Sequence, residues 1–193
     1  MSKLILVRHA APATDPCVAP NQWPLSEAGR QSCGALASAL APFLPASLLC
    51  SREAKAVETA ALVGRKLGVG YKSVSGLQEH IRTSEDWLGE AEFQTGVASV
   101  FARPAEVVFG DESADQARAR FTSALEALLA EHRDDNLVVV THGTVMTLFI
   151  QQTNPAIVPG EFWKKLGLPA VAVLDRPALA LERLIERVGV DGN

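Results

Sequence analysis

A chain of 193 residues with a formal net charge of −4, 48% hydrophobic and 21% charged residues has the composition of an ordinary globular protein rather than a disordered one. The acidic balance argues against nucleic acid as a partner, because Lys and Arg come only in short pairs such as Arg65-Lys66 and Lys164-Lys165. The length fits one domain over residues 1–193, and the absence of a long apolar run or of room for a signal peptide before Lys3 makes the membrane an unexpected partner and the cytoplasm the expected compartment.

Leu4-Ile5-Leu6-Val7 reads as a buried strand of a parallel sheet, ending in Arg8-His9 before a turn rich in Pro and Asp (Pro12, Asp15, Pro16). In such sheets ligands sit outside the carboxyl ends of the strands, so a cation and an imidazole delivered there read as an anion site containing a nucleophile. Ser26 is a candidate N-cap for a helix from Glu27 to Ala41 that Pro42 stops, with Leu36, Leu40 and Phe43 in its apolar spacing. Leu48-Leu49-Cys50 is a short strand, after which Ser51 is read as the cap of a second helix closing at Gly68. That places Arg52 in the first turn and Lys55 one turn later, where cations oppose the helix macrodipole and call for an anion.

A weaker strand is expected from Tyr71 to Val74, followed by Gly76-Leu77-Gln78-Glu79 in a loop. The stretch from Thr83 to Pro104, with Trp87, Gly89, Phe93 and Gly96, has poor periodicity and is expected to be a lid or small helical insertion at 83–104. Ser113 to His132 is an amphipathic helix with Phe121, Leu125, Leu128 and Leu129 on one face. Leu137-Val138-Val139-Val140-Thr141 is a β-branched strand ending in His142-Gly143, and the helix beginning near Thr144 would aim its N-terminal amides at the same crevice as His9. Val171 to Leu174 is a last strand, expected on the sheet's edge. The βαβα alternation implies an α/β fold with a mostly parallel sheet flanked by helices. Cys17, Cys33 and Cys50 are odd in number and widely spaced, which suits reduced thiols rather than a disulfide framework or a zinc site.

Six segments in order, LILVRHA (Leu4 to Ala10), PLSEAGR (Pro24 to Arg30), SREAKAVETA (Ser51 to Ala60), GLQE (Gly76 to Glu79), GDES (Gly110 to Ser113) and VVTHG (Val139 to Gly143), resemble the landmarks of the histidine phosphatase superfamily. The resemblance spans nearly the whole chain. It implies the phosphoglycerate-mutase-like fold, a three-layer α/β/α sandwich, and a phosphohistidine intermediate formed without metal or other cofactor. It implies His9 as nucleophile, Arg8 as its phosphate-binding neighbour, His142 as the second histidine on the phosphoryl oxygens, and Glu79 as proton donor to the leaving group. The residue types suit these roles. A neutral imidazole held in one tautomer offers a lone pair near pH 7, and a carboxyl raised in pKa beside a phosphate can protonate an alkoxide and then activate water.

This chain departs from the family pattern at three places. Ala10 stands where a glycine usually follows Arg-His. Lys55 stands in the register of the second phosphate-binding arginine, with Arg52 as the other candidate, and lysine supplies charge without the planar fork. His80 and Arg82 follow Glu79 in place of the usual Gly and Trp-Glu-Gly, and with Gly143 they are candidate substrate contacts.

The expected function is hydrolysis of a small phosphorylated metabolite by a metal-independent phosphatase, acting as a monomer or homodimer. A mutase would have to hold a bisphosphorylated intermediate, which the acidic residues after Arg82 (Glu85, Asp86, Glu90, Glu92) disfavour. A non-catalytic phosphate-binding module is favoured by Lys55 and opposed by the joint presence of His9, His142 and Glu79. A metalloenzyme reading lacks His-x-His or His-x-x-x-His spacing.

Overall fold

A computed structural model of the chain describes residues 2–44, 46–82 and 88–189. Its six strands are β1 (Lys3–Arg8), β2 (Ala46–Ser51), β3 (Tyr71–Val74), β4 (Asn136–Thr141), β5 (Ala170–Asp175) and β6 (Leu181–Ile185), in one sheet ordered β3-β2-β4-β1-β5-β6. The first four in that order are mutually parallel, whereas β5 pairs antiparallel with both β1 and β6. The α-helices are α1 (Glu27–Leu40), α2 (Ala54–Leu67), α3 (Glu90–Ala102), α4 (Ala114–Glu131), α5 (Gly143–Thr153) and α6 (Pro159–Lys165).

The alternation of side chains along the central strands builds two cores. Leu4 and Leu6 of β1, with Leu137 and Val139 of β4, pack against α3, α4, α5 and α6, while Ile5, Val7, Val138 and Val140 pack against α1 and α2. Both faces of the sheet are therefore covered, which is why these strands read as uninterrupted apolar runs. The result is the expected three-layer α/β/α arrangement. Ser26 caps α1, its Oγ accepting from the Gly29 N–H at 3.1 Å, and Ser113 caps α4 in a reciprocal pair with Gln116.

Three expectations change. The strand at Val171 to Leu174 is not an edge: β5 lies between β1 and an unanticipated β6, whose sequence Leu-Glu-Arg-Leu-Ile alternates too poorly to announce a strand. Ser51 belongs to β2, paired with Val74, and α2 begins at Ala54 with Glu53 at its N-cap. Arg52 consequently precedes the helix, exposed, and only Lys55 lies in the first turn. In the 83–104 stretch, Glu90–Ala102 forms α3, with Val97 and Val100 in the core beside α4 to α6; Thr83 to Trp87 lie outside the described residues.

Candidate active site

Because β1 and β4 are parallel neighbours with Arg8 opposite Thr141, the chain leaves both strands at the same height. The His9 N–H continues the ladder to the Thr141 carbonyl at 3.0 Å, and the His9 and His142 rings meet edge to face with centroids 5.1 Å apart. His9 donates from Nδ1 to the Ala10 carbonyl at 2.7 Å. A carbonyl can only accept, so the proton resides on Nδ1 and the lone pair on Nε2. Burial, then the neighbouring His142, Lys55 and Arg8, keep His9 well below its ordinary pKa of 6.5, so it is neutral near pH 7.

The loop after His9 is clamped by the PLSEAGR segment. The Ser26 N–H and Oγ both donate to the Ala11 carbonyl, at 2.9 and 3.0 Å. A Cβ on Gly29 would lie only 2.1 Å from that carbonyl oxygen, so nothing larger fits beneath the loop. Ala10 takes no positive φ, since Leu179 is the only described non-glycine residue that does; alanine in place of glycine therefore costs nothing here.

Arg8 projects beside Trp163, its Cζ 5.5 Å from the ring centroid. Its Nη1 is donated to the Leu166 carbonyl and its Nε is enclosed without a partner, leaving Nη2 as the end that faces the cavity. A Cβ on Gly143 would sit 3.1 Å from the Arg8 Nε and Cζ and 3.0 Å from the Trp163 Nε1. The glycine is thus explained by the approach of Arg8 and Trp163, not by a ligand. Gly143 is not on the cavity wall.

Lys55 is not free. Its Nζ lies 2.5 Å from Glu53 Oε2 and donates to the Pro20 carbonyl at 2.7 Å, with both side chains of the pair almost wholly buried. Glu53 Oε1 in turn accepts the Glu79 N–H at 2.8 Å and stands 3.5 Å from His142 Nε2. One buried carboxylate thus ties the second cation to the Glu79 loop and lies against the second histidine without a hydrogen bond to it. Arg52, by contrast, lies on the exposed cavity rim with no ion pair among the described residues.

Glu79 occupies the N-terminus of α5. Its Oε2 accepts from the Thr144 N–H at 3.1 Å, and its Oε1 from the N–H groups of Val145 and His80 at 3.1 and 2.9 Å. The helix amides expected to receive a ligand are already spent on this carboxylate. Burial pushes the Glu79 carboxyl up, but the His142 ring and the N–H bonds from Thr144 and His80 outweigh it and hold the group below its usual 4.5. With these partners Glu79 is ionised. Since burial keeps His142 well below 6.5 and hence neutral, the fixed N–H donors and the Arg82 charge supply the part of this stabilisation that operates near pH 7.

The loop bearing Glu79 is pinned from α4. Arg120 donates to the carbonyls of Gly76, Gln78 and Glu79 at 2.9, 3.0 and 3.1 Å and is paired with Glu112 at 2.5 Å. Glu112, from the GDES segment, accepts the Ile81 N–H at 3.0 Å, and its own carbonyl accepts from His80 Nε2 at 2.7 Å. His80 is accordingly a buried strut, 3% exposed, that also borders the cavity. Arg82 lies over Phe93 and Phe109, at 4.6 and 5.2 Å, and does border the cavity.

The cavity has a volume of about 1400 Å³. Arg8, His9, Lys55, Glu79, His80, Arg52 and Arg82 are on its wall, whereas His142 is fully enclosed behind His9, both ring nitrogens lacking a hydrogen-bond partner. The structure therefore brings together His9, Arg8, Lys55, Glu79 and His142 and leaves Arg52 at the rim. Sequence reasoning missed Glu53, Arg120 and Trp163. Glu53 carried a signal, a carboxylate two residues from a cation at a helix start; the other two depend on long-range packing. Among the described residues no cluster of three His, Cys, Asp or Glu side chains is arranged to hold a metal ion, and no helix is long and apolar enough to cross a membrane.

The sequence model of the histidine phosphatase superfamily (branch 1) matches residues 4–175. No curated protein matches the chain significantly by sequence. The fold is similar to that of Bacillus stearothermophilus YhfR, at 18% identity and a TM-score of 0.76 over 98% of this chain and 99% of that one. It is also similar to a phosphoserine phosphatase from Entamoeba histolytica, at 17% identity and a TM-score of 0.75 over 95% and 96% of the two chains. A mycobacterial glucosyl-3-phosphoglycerate phosphatase aligns at 19% identity and a TM-score of 0.70 over 97% and 99%.

Proposed function

The chain belongs to the histidine phosphatase superfamily (branch 1), and we propose that it is a metal-independent phosphatase that hydrolyses a small phosphomonoester through a phosphohistidine on His9. The observation that carries this reading is the His9 tautomer: with Nδ1–H committed to the Ala10 carbonyl, the Nε2 lone pair is the free end of a ring that borders the cavity. Nε2 attacks phosphorus as the ester P–O bond breaks, while Arg8 Nη2 and Lys55 offset charge on the phosphoryl oxygens.

Glu79 supplies the proton the leaving alkoxide needs. As an ionised group it must first acquire that proton, and a phosphomonoester monoanion, with a second pKa of about 6, brings one. Passing it to the Glu79 Oε2, which has one lone pair unused, generates the dianion beside Arg8 and the protonated acid beside the ester oxygen. After the alcohol leaves, Glu79 is again a carboxylate and takes a proton from the water that attacks the phosphohistidine, which returns His9 to its neutral form. Lys55 is screened by Glu53, and the five cations on the cavity wall are nearly balanced by four carboxylates, so a second phosphoryl dianion finds little net positive charge. That favours hydrolysis over mutase chemistry. The neighbours described as acting on phosphoserine and glucosyl-3-phosphoglycerate make small phosphorylated metabolites the substrate class to test. Purified protein should turn over p-nitrophenyl phosphate in excess chelator and lose that activity with His9→Ala; loss of activity to the chelator would refute metal independence.

A further inference from the structure

Arg187 lies just beyond β6 and belongs to none of the motifs, yet it borders the same cavity as His9 and Arg8. Its placement is fixed from both sides. The Gly167 N–H donates to the Glu186 carbonyl at 2.6 Å, the Val188 N–H donates to the Pro169 carbonyl at 2.9 Å, and Val188 is buried at 8% exposure. The stem of Arg187 packs directly on Gly167, where an added Cβ would come within 2.9 Å of the Arg187 Cβ and 3.1 Å of its Cγ. Residue 166, next in the same loop, accepts from Arg8 Nη1. One short loop therefore seats two guanidinium side chains, Arg8 deep in the cavity and Arg187 at its outer wall.

The Arg187 guanidinium is exposed and forms no hydrogen bond or ion pair among the described residues. Most other cations on the wall are engaged: Lys55 by Glu53, Arg8 by Leu166, and Arg82 over two aromatic rings. The wall carries four carboxylates, Glu53, Glu58, Glu79 and Glu90, against five cations, Arg8, Arg52, Lys55, Arg82 and Arg187, so with a net charge of only +1 it seats a singly charged carboxylate beside the phosphoryl group more readily than a second, doubly charged phosphate. A planar fork presented to a cavity suits a bidentate oxyanion.

We propose that Arg187 is a specificity-determining residue that binds a carboxylate on the leaving group, so that the preferred substrates are phosphomonoesters of small hydroxy acids. This rests on the phosphatase reading above and names the class of substrate for that site. The test compares three compounds on one two-carbon skeleton as competitive inhibitors of p-nitrophenyl phosphate turnover. These are phosphoglycolate, which bears a carboxylate, 2-hydroxyethyl phosphate, which bears none, and ethane-1,2-diyl bisphosphate, which bears a second phosphate.

Phosphoglycolate should bind about tenfold tighter than 2-hydroxyethyl phosphate, the scale of one charge-assisted hydrogen-bonded pair. Arg187→Ala should bring the two together. Arg183→Ala, which removes the same charge from β6 without bordering the cavity, should keep the gap. Equal inhibition in the unaltered protein, a gap that survives Arg187→Ala, or a clear preference for the bisphosphate would overturn the proposal. If p-nitrophenyl phosphate is not turned over at all, the phosphatase reading fails separately, and calorimetric affinities for the same compounds still decide whether Arg187 binds a carboxylate.

Discussion

Replacing Glu53 by Gln isolates the interaction that most distinguishes this site. Glutamine keeps the shape and an Oε1 that can still accept the Glu79 N–H, but it removes the charge and presents an NH₂ toward Lys55 Nζ, now 2.5 Å from an ionised oxygen. Lys55 is then a buried cation, 6% exposed, whose remaining partner is the Pro20 carbonyl. Removing one member of a buried ion pair costs about 3 to 5 kcal/mol, because the other charge stays desolvated. At about 2 to 4 °C per kcal/mol for a chain of this size, Glu53→Gln should melt at least about 6 °C lower than the unaltered protein.

Inorganic phosphate reverses part of that loss, since an anion in the cavity takes over the neutralisation of Lys55. The melting temperature of the variant should therefore rise more with added phosphate than that of the parent, narrowing the difference, and its affinity for phosphate should increase. Thermal denaturation with and without phosphate gives both numbers. A variant that melts within about 1 °C of the parent, or a difference that widens with phosphate, would contradict the assignment of Glu53 as the internal counter-ion.

Three further outcomes follow from the same geometry. Gly143→Ala places a methyl about 3 Å from Arg8 and Trp163, so phosphate binding and kcat/KM should fall about tenfold while circular dichroism and oligomeric state are unchanged; undiminished kcat/KM would mean that Arg8 is not the clamp. Arg120→Lys loses the fork that holds three loop carbonyls and Glu112, and should lower stability by about 3 kcal/mol and kcat more than it raises KM, read by denaturant melts and steady-state kinetics; wild-type kcat would show that the loop keeps Glu79 in place without it.

Stability should also fall in mild acid. His9 and His142 titrate well below 6.5 when folded, so below pH 6.5 the unfolded chain binds protons that the native state does not. Stability then declines with falling pH by about 1.4 kcal/mol per unit for each group, about 2.7 for the two together. Glu79 acts in the same direction at lower pH: its contribution is present above 4.5 and lost as pH falls through its depressed folded value. Chemical denaturation at pH 7 and about pH 5.5 measures the slope, and equal stabilities would mean that the two rings are not buried as neutral bases.

The parts of the fold legible in the sequence are those whose cause is local. The buried strands at Leu4 to Val7 and Leu137 to Val140, the Ser26 cap and the strand at Tyr71 to Val74 follow from apolar runs, residue type and capping chemistry. The start of α2 was misleading because Ser51 resembles a cap by type, while its backbone is committed to β3 through the pair with Val74. The role of Glu79 was legible only in outline: its loop position could be read, but the amides of Thr144 and Val145 that fix its charge come from 65 and 66 residues away. For the same reason the GDES segment had a recognisable pattern but no evident purpose until Glu112 and Arg120 were seen holding the loop. β6 and Arg187 carry no periodic or motif signal, because an edge strand with one solvated face and a lone arginine are shaped by what they pack against.

The proposed reaction stands on a covalent intermediate at one nitrogen of one residue. Rapid acid-free quenching of the protein during turnover of a phosphomonoester, followed by peptide mass spectrometry, tests it most directly. Phosphate should be found on His9, labile in acid and stable in base, and absent from His9→Ala. An acid-stable phosphopeptide, a phosphate mapped to another residue, or undiminished turnover by His9→Ala would contradict it.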